Sequence, residues 1–460
     1  MTTSPKRVSS RVRSWSNAVL PVLAVALAAV ATAVPRWQAD HATTDSVSVS
    51  QSTYVCPRGQ SGATAALGQL VAGTSRSVAV STKGAIESDT SDAAAWTSQQ
   101  LAGDGAIVTQ DGRGSGAVGF TAGTASKSAG RGLVVARCGG VVDEAWFLGL
   151  GTADKRSSTL VLSNLSDTPA VADVMLWNPK GVVDAVHAKG ISVEPFTIRR
   201  IPISDLAAGE PDLAAQVVRR RGVMAAMVED SSTATYAGTE AIGAAQPPSR
   251  DQVIAGVDGQ KRGKKLLLLN PGRQTARVDV TTYTADGPVA DADLQGLEVK
   301  AGRYLTVDVP GSVGAGQHGL RVTSDRAIVA SARVSPDVKD FMLAESAPLL
   351  DGPSVVPVDL GSAVPARLIL SALDDAATVD VVAYDAKMQE IGRTTVDIGA
   401  RSTLSTKVSD IKADGKVAYL TVDAHGGVVG AVTYTSGSRS SSLALRSAPT
   451  SIDVPVVLPD

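Results

Sequence analysis

Three stretches of the chain share one pattern of apolar and polar positions. Leu267–Tyr283 reads Leu-Leu-Leu-Asn-Pro-Gly-Arg-Gln-Thr-Ala-Arg-Val-Asp-Val-Thr-Thr-Tyr, and Val161–Trp177 and Leu368–Tyr384 align with it without a gap. In each stretch a mainly apolar run and a small polar residue precede a turn, and Asp-Val follows with an aromatic residue three positions later. Alternating apolar and polar residues are typical of a half-buried strand. Each stretch therefore predicts a strand, a turn and a second strand.

The alternation also predicts the register of the second strand. Val278 and Val280 are expected to point into a core, while Arg277 and Asp279 point outward. Burying one valine contributes about 1.5–2 kcal/mol. A slip of one residue would bury Asp279 and expose both valines, so the pattern selects a single register.

Each copy continues with further short strands and ends in paired apolar runs, which predict a hairpin. The predicted hairpins are Val217–Val228, Val322–Ala332 and Val422–Val432. A shared element follows in the last two copies, Met342–Pro348 and Leu443–Pro449, both ending in Ser-Ala-Pro. The repeat is therefore about 100 residues long.

The region before the first copy predicts a separate β module. Its strand candidates are residues 77–80, 106–109, 117–120 and 132–135. Residues 92–102 predict one helical turn, with Trp96 as its buried anchor.

Short strands with turn signals every 8–12 residues predict an all-β fold of tandem Ig-like β-sandwich modules. The predicted division is a basic cytoplasmic N-terminus at 1–17, a transmembrane anchor or signal segment at 18–34, a tether at 35–53, an N-terminal module at 54–145, repeat 1 at 146–248, repeat 2 at 249–350 and repeat 3 at 351–460. The alternative fold is a β-propeller with two four-stranded blades per repeat. The C-terminal run Val454–Leu458 favours this alternative, because it could close against the strand near Tyr54.

The N-terminus carries a targeting pattern. Four basic residues precede a charge-free run whose apolar part, Ala18–Val34, spans 17 residues. As a helix it would be about 25 Å long, marginal for a bilayer core of about 30 Å. Residues 31–33, Ala-Thr-Ala, could also be a cleavage site. Anchor and cleaved signal both remain open, and both place the rest of the chain outside the cytoplasm.

The two cysteines agree with export. Cys56 and Cys138 predict a disulfide, since an even count in an exported chain indicates pairing. Closing this loop would contribute about 4–5 kcal/mol on the chain-entropy model. The alternative is two free buried thiols.

Composition narrows the classes of function. The net charge of −2 offers no field that would attract nucleic acid. Four histidines provide little material for metal or acid–base sites, and no cofactor or metal ligand set is predicted. The sequence contains no nucleophile-elbow motif, no His-Glu-x-x-His motif and no motif of paired carboxylates.

Several local patterns have a structural and a functional interpretation, and the structural one is favoured for each. Residues 111–116 are glycine-rich but lack the lysine and helix of a phosphate loop. Asp374-Asp375 lacks the further acids of a calcium loop. The four histidines are predicted to be surface residues. Trp146 and Trp177 could stack on sugars, but their alternating strands favour a core role.

One basic cluster is a candidate contact for an anionic polymer or lipid headgroup. Arg219, Arg220 and Arg221 are placed at the tip of the first predicted hairpin. The structural interpretation is an exposed tip whose like charges protect a strand edge from pairing.

Leu-Leu-Leu-Asn-Pro-Gly at 267–272, with the Ala-x-Val-x-Val-x-x-Tyr that follows, resembles tandem Ig-like repeats of bacterial surface proteins. With Tyr-Val-Cys-Pro at 54–57 and Arg-Cys at 137–138, the whole chain resembles an uncharacterised family of exported actinobacterial proteins, labelled a domain of unknown function. The resemblance implies an envelope location and, from gene neighbours, a link to membrane glycosyltransferases. It implies no catalytic residues.

The expected function is a non-catalytic extracytoplasmic scaffold or binding module of the cell envelope. Its expected partners are an envelope protein or glycan and, through the N-terminal segment, the membrane. One alternative is a glycan-active enzyme whose two carboxylates meet only in three dimensions, about 5–10 Å apart. The other is a glycan-binding accessory of an envelope glycosyltransferase, which requires an exposed aromatic platform.

Overall fold

The computed structural model of the chain is almost entirely β-strand, which confirms the all-β prediction. The structure describes residues 44–59, 64–71, 74–92, 96–114, 116–125, 131–233, 237–258, 263–311, 316–337, 340–361 and 364–455. Short 3₁₀ helices lie at Ile203–Asp205, Ala292–Leu294 and Val408–Asp410. No helix within these ranges is long and apolar enough to cross a membrane. The predicted segments 1–17 and 18–34, and the tether up to residue 43, lie outside the described residues.

Contacts divide the chain into a large unit, residues 48–451, and a small one formed by 1–47 with 452–460. In the small unit, strand β1 (Thr44–Ser48) pairs with strand β36 (Ser451–Pro455) as a two-stranded sheet. The C-terminal run thus meets β1 and not the strand at Tyr54, as far as its described residues show.

The large unit contains four successive sets of strands. The N-terminal module has β2 (Gln51–Pro57), β3 (Thr64–Gly68), β4 (Thr74–Ser81), β5 (Gly84–Asp92), β6 (Thr97–Gln100), β7 (Gly105–Asp111), β8 (Val118–Ala125), β9 (Gly132–Arg137) and β10 (Gly139–Gly140). Repeat 1 has β11 (Glu144–Leu150), β12 (Arg156–Asn164), β13 (Ala170–Asn178), β14 (Gly181–Val183), β15 (Ile191–Val193), β16 (Ile198–Pro202), β17 (Leu213–Arg221), β18 (Met224–Ser232) and β19 (Gly238–Ile242).

The last two sets complete the unit. Repeat 2 has β20 (Ser249–Asp258), β21 (Lys265–Asn270), β22 (Ala276–Thr284), β23 (Gly287–Ala290), β24 (Leu297–Val299), β25 (Arg303–Asp308), β26 (Gln317–Asp337) and β27 (Asp340–Glu345). Repeat 3 has β28 (Ser354–Pro357), β29 (Ala366–Ala372), β30 (Ala377–Tyr384), β31 (Glu390–Ile398), β32 (Thr403–Lys407), β33 (Tyr419–His425), β34 (Val428–Ser436) and β35 (Arg439–Ala444).

The four sets share one order of strand pairing, but in repeat 2 the long strand β26 belongs to both sheets and joins them into one of eight strands. In repeat 3 one sheet has the order β28-β33-β30-β31 and the other β32-β29-β34-β35. The N-terminal module repeats this order as β2-β7-β4-β5, with β10 added at the edge beside β2, and as β6-β3-β8-β9. The N-terminal module lacks the Asp-Val signature that aligns the three repeats, so the sequence predicts it as a separate unit.

The two sheets of each module pack face to face around an aliphatic core. In repeat 2, Val278 and Val280 from one sheet meet Leu266 and Leu268 from the other. Both valines are fully buried, whereas Arg277 and Asp279 are exposed. The predicted register of this strand is therefore confirmed.

The four modules contact one another in cyclic order, with the last packed against the first. Each boundary has its own apolar contact. One buried cluster includes Val55 and Val161, a second Phe341 and Trp177, and a third Val253 and Val429. At the last boundary the rings of Trp96 and Tyr419 stack, with centroids 5.0 Å apart. The unit repeated in this cycle is the two-sheet module, and the described residues do not show closure of single sheets as propeller blades.

The predicted hairpins are wrong in all three copies. The two arms of Val217–Val228 belong to β17 and β18, which lie in opposite sheets of repeat 1, and the arms of Val422–Val432 separate in the same way into β33 and β34. In Val322–Ala332 the chain does not turn, since β26 runs through and pairs with β22 and then with β21. A hairpin and a crossover between sheets have the same apolar alternation, so the pattern does not distinguish them.

The predicted helical turn at 92–102 is also wrong. Residues 97–100 form β6, which pairs with β3. Trp96 is buried, as predicted, but against repeat 3, where its indole N–H donates to the Asp359 carbonyl at 2.9 Å. The partner of this anchor lies 263 residues away.

The disulfide prediction is confirmed. Cys56 on β2 and Cys138, just after β9, are bonded, with their Cα atoms 4.5 Å apart. The bond joins the two sheets of the N-terminal module. Gly119 on β8 lies directly beneath it, and an added Cβ there would meet the Tyr54 ring and lie 2.9 Å from Cys138 Sγ.

A buried asparagine closes the turn after the second strand of repeats 1 and 2. Asn270 Nδ2 donates to the carbonyls of Gln274 and Val299, at 2.7 and 2.8 Å, and its Oδ1 accepts from Gly272 N–H at 2.9 Å. Asn164 makes the same three bonds, with Thr168, Val193 and Ser166. Sequence spacing alone places both residues at the same position.

We predict that Asn270→Ala and Asn164→Ala each lower the free energy of unfolding by about 3 kcal/mol, because buried backbone groups lose their partners. Urea unfolding followed by circular dichroism measures the loss. Arg273→Ala, an exposed change in the same turn as Asn270, is the control and should change stability by less than about 0.5 kcal/mol. Clearly different losses of unfolding free energy for the two variants would show that Asn164 and Asn270 do not have equivalent roles.

We also predict that Gly119→Ala lowers stability by about 1–3 kcal/mol, because the methyl group overpacks the space under the disulfide. Gly140→Ala is the matched control, since no atom lies within 4 Å of a Cβ built there. Thermal unfolding of the two oxidised variants gives the comparison. Equal melting temperatures would show that the N-terminal module relaxes around Gly119.

Candidate functional site

Four edge strands are buried against one another where the modules meet. They are β9, β19, β27 and β35, one edge strand from each module, called here the axial strands. Each contacts the next in the cycle, yet the four belong to four different sheets. The approach is close, since a Cβ built at Gly132 on β9 would lie 2.7 Å from the Thr239 carbonyl oxygen on β19. Buried backbone groups along these edges need partners that no further strand supplies.

Three carboxyl side chains and one serine provide such partners. Glu345 Oε1 accepts from Gly243 N–H in repeat 1 at 2.7 Å, and Asp340 Oδ2 accepts from Ser440 N–H in repeat 3 at 2.8 Å. Ser441 Oγ accepts from Val135 N–H at 3.0 Å and donates to Glu240 Oε1 at 2.9 Å. Each bond crosses from one module to another. We call Glu240, Asp340, Glu345 and Ser441 the axial cluster.

Burial favours the protonated form of all three acids. Desolvation raises the pKa of Glu240 well above its usual value, and the neighbouring Asp340 and Glu345 raise it further. Desolvation also raises the pKa of Asp340 to about 7, against the opposing effect of its backbone hydrogen bonds. The pKa of Glu345 is raised by the same cause. Glu240 Oε2 has no hydrogen-bond partner, as expected for an acid that is not ionised.

A cavity of about 320 Å³ opens beside the axial cluster. We call it the axial pocket. Its polar lining includes Arg137, Arg446, Glu345 and Ser442, and the remainder is mainly small and apolar. Arg137 Nη1 donates to the Arg446 carbonyl at 2.9 Å, and Arg446 Nη2 donates to the Ala244 carbonyl. The two guanidinium groups thus satisfy backbone carbonyls as the carboxyl groups satisfy N–H groups.

A wider cleft of about 1060 Å³ lies between repeats 2 and 3. Asp258 and Gln317 line it from repeat 2, while most of the lining comes from repeat 3. Asp359 is paired with Lys416 at 2.5 Å, and this bond lowers the pKa of Asp359. The cleft therefore contains two carboxylates, one of which is held as an anion by its lysine partner.

The predicted anion contact is largely occupied by the protein's own acids. Arg219 pairs with Asp143, and Arg220 pairs with Asp173 at 2.8 Å. Arg221 ends β17 and is exposed at the turn. The three arginines are thus at the tip where they were predicted, but two of them are in ion pairs.

The other candidate motifs have structural roles in the described residues. Gly112 and Gly114 N–H groups donate to the carbonyls of Ser50 and Val49, so the glycine-rich stretch presents these amides to its own chain. Asp374 pairs with Arg321 at 2.6 Å. Trp96, Trp146 and Trp177, the tryptophans of the described residues, are buried, which removes them as sugar platforms.

The histidine prediction is wrong at one position. His187 is exposed, and His425 lies 3.4 Å from Asp380 at the surface, but His318 is buried. His41 lies outside the described residues. Nowhere in the described ranges do three or more His, Cys, Asp or Glu side chains form a group that could hold a metal ion.

Neither the axial cluster nor the arginines of the axial pocket are predicted from the sequence. One signal was present, because Glu345 and Arg446 occupy the same position of the shared elements that end in Ser-Ala-Pro. Opposite charges at an equivalent place in two apolar strands indicate a polar contact between copies. Glu240 had no such signal, since its copy of the element is weak.

The fold and site define an all-β protein of four two-sheet modules joined through a buried polar axis. The chain belongs to the family of unknown function DUF5719, whose pattern matches residues 96–409, more than half of the chain. The match begins at Trp96 in the N-terminal module and ends at Ser409 in repeat 3, so it covers repeats 1 and 2 completely and part of the module at either end. A search of curated proteins finds no match.

We predict that Glu240→Gln changes the pH dependence of stability more than stability itself. Glutamine mimics the protonated acid, so the free energy of unfolding of the variant should lie within about 1 kcal/mol of the wild-type value at pH 6. When the pKa of a carboxyl group is higher in the folded than in the unfolded protein, the protein becomes less stable as the pH rises. The loss begins near the unfolded pKa, about 4.3, and continues up to the folded value. At pH 9 the variant should therefore be the more stable protein.

Urea unfolding from pH 5 to 9 tests this expectation. Glu298→Gln on β24 is the control, because Glu298 is exposed and its removal should leave the wild-type profile unchanged. Parallel profiles for Glu240→Gln and wild type would show that Glu240 does not titrate abnormally.

Proposed function

We propose that this protein is a non-catalytic, extracytoplasmic binding or scaffolding protein of the cell envelope, built of tandem Ig-like repeats and anchored or exported by its N-terminal segment. One observation carries the proposal. Each carboxyl group of the axial cluster accepts a hydrogen bond from another module. The buried acids, which elsewhere would suggest acid–base chemistry, thus have an architectural role here.

The disulfide supports the proposed location. Disulfides persist in oxidising compartments and are rare in the cytosol. Cys56 and Cys138 are paired within the N-terminal module, which directly follows the segment proposed as anchor or signal. The location and the basic-then-apolar pattern of residues 6–34 therefore agree with each other.

The cleft between repeats 2 and 3 is the proposed docking place for an envelope partner. Its apolar lining, including Val364, Val408 and Ile411, provides area to bury. Arg367 and Lys407 line the same cleft and favour an acidic partner. Pockets of this size commonly bind ligands through an apolar surface with a few placed polar groups.

One observation favours the glycan-active alternative. Asp258 and Asp359 line the same cleft, and a pair of carboxylates is the usual catalytic set of a glycosidase. Such an enzyme needs one acid with a raised pKa, whereas Lys416 lowers that of Asp359. We therefore keep the binding function as the first proposal.

We predict that a photo-reactive residue in place of Ser409, which lines the cleft, crosslinks an envelope partner in intact cells. Lys387, an exposed residue of the same repeat outside the cleft, is the matched position for the control. Adducts are identified by mass spectrometry. The same adducts from both positions, or none from Ser409, would count against a partner in the cleft.

A parallel assay separates the alternative. The purified full chain is incubated with envelope glycans, and new reducing ends are measured. If the wild-type chain produces new reducing ends and both Asp258→Asn and Asp359→Asn abolish them, the protein is a glycan-active enzyme and the non-catalytic proposal is overturned.

A further inference from the structure

The axial pocket holds two guanidinium groups that form no ion pair within the described residues. Arg137 and Arg446 are largely buried, and each donates to a backbone carbonyl, but neither forms an ion pair with a carboxylate of the described residues. Burial lowers the pKa of Arg137 to about 10, and the nearby Arg446 lowers it as well. At neutral pH Arg137 therefore remains a cation in a poorly solvated place.

The one carboxyl group that lines the pocket compensates for these charges only in part. Its attraction raises the pKa of Arg446, but burial lowers that pKa by more. Glu345 lines the cavity, but its Oε1 is engaged by the Gly243 N–H, and desolvation raises its pKa. A buried charge without a counterion is costly, and proteins usually pair it. A guanidinium group also has five N–H donors, of which a single carbonyl uses one.

A second observation points to the same cavity. Ser442 lies on β35, is 4% exposed, and its Oγ has no hydrogen-bond partner. Ser442 lines the pocket together with both arginines. A buried hydroxyl group without a partner is uncommon in proteins, and this one belongs to a residue that lines the same cavity as two guanidinium groups.

The cavity is larger than one simple oxyanion requires. Its volume of about 320 Å³ is at the lower end of the range for small-molecule pockets. Apolar side chains including Val141, Met227 and Pro449 line the rest of it. The donors and this lining together suit a charged head and a short apolar body.

We propose that the axial pocket binds the oxyanion of a small ligand, a carboxylate or phosphate on a short apolar body, through Arg137, Arg446 and Ser442. Guanidinium groups bind both oxyanions with paired N–H donors, and the serine hydroxyl donates a further bond. A bound ligand would contact β9 and β35 together and so join the N-terminal module to repeat 3. The inference does not depend on the proposed envelope function.

Binding to the full-length chain is measured by isothermal titration calorimetry and thermal unfolding. The probes are inorganic phosphate, butyl phosphate, acetate and hexanoate, each against sodium chloride at equal ionic strength. We expect saturable binding, tighter for hexanoate than for acetate or for butyl phosphate than for phosphate, because the apolar body fills the cavity. The pair of probes that binds more tightly, the two carboxylates or the two phosphates, identifies the head group.

Variants connect the binding to the pocket. Ser442→Ala removes a hydroxyl group that makes no bond in the structure, so it should leave the fold intact and weaken binding about threefold to tenfold. Arg446→Gln should weaken binding more than tenfold, since a bond to a charged group is lost. Arg393→Gln, at an exposed ion pair on β31, is the control and should bind as wild type does.

Two results would overturn the proposal. One is the absence of saturable binding of any probe by the wild-type chain beyond the effect of chloride. The other is unchanged binding by Ser442→Ala and Arg446→Gln. If Arg446→Gln does not fold, Ser442→Ala and the comparison of short with long probes decide the outcome.

Discussion

The structure depends on burying four strand edges at one place. An edge strand exposes a row of N–H and C=O groups, which elsewhere face water or pair with another strand. Here the axial strands contact one another without pairing into a common sheet, and most of their residues are buried. Side chains must therefore supply the missing hydrogen bonds, because an unpaired buried backbone group costs about 1–3 kcal/mol.

The chemistry of the axis follows from this constraint. Backbone N–H groups require acceptors, which Glu345, Asp340 and Ser441 supply, and backbone carbonyls require donors, which Arg137 and Arg446 supply. Burial raises the pKa of all three acids, and Asp340 and Glu345 raise that of Glu240 further, so the axis favours their neutral forms. The arginines do not have this option, because a guanidinium group does not lose its proton near neutral pH. Their excess charge distinguishes the axial pocket from the rest of the axis.

The contacts between modules explain why the repeats form one unit. Each boundary combines an apolar cluster with a polar bond, such as the Asp230 carboxylate of repeat 1, which accepts from Arg333 of repeat 2 at 3.0 Å. Arg321 in repeat 2 likewise pairs with Asp374 in repeat 3. Loss of one module would expose two such faces. This cyclic arrangement differs from an open string of sandwiches, in which the terminal modules have a free face.

The sequence by itself determined the strands, their buried faces and the disulfide. Val278 and Val280 face the core and Asp279 faces the solvent. This orientation follows from the alternation of apolar and polar residues along the strand, which is visible in the sequence itself. Tertiary structure decided which strands pair, as the three wrong hairpins show. It also decided that the N-terminal module shares the topology of the repeats and that Glu240, Asp340 and Glu345 meet Ser441 at the axis. These outcomes depend on contacts between residues 100 or more positions apart. The alternating pattern of a strand does not specify which distant residues will contact the edge of that strand.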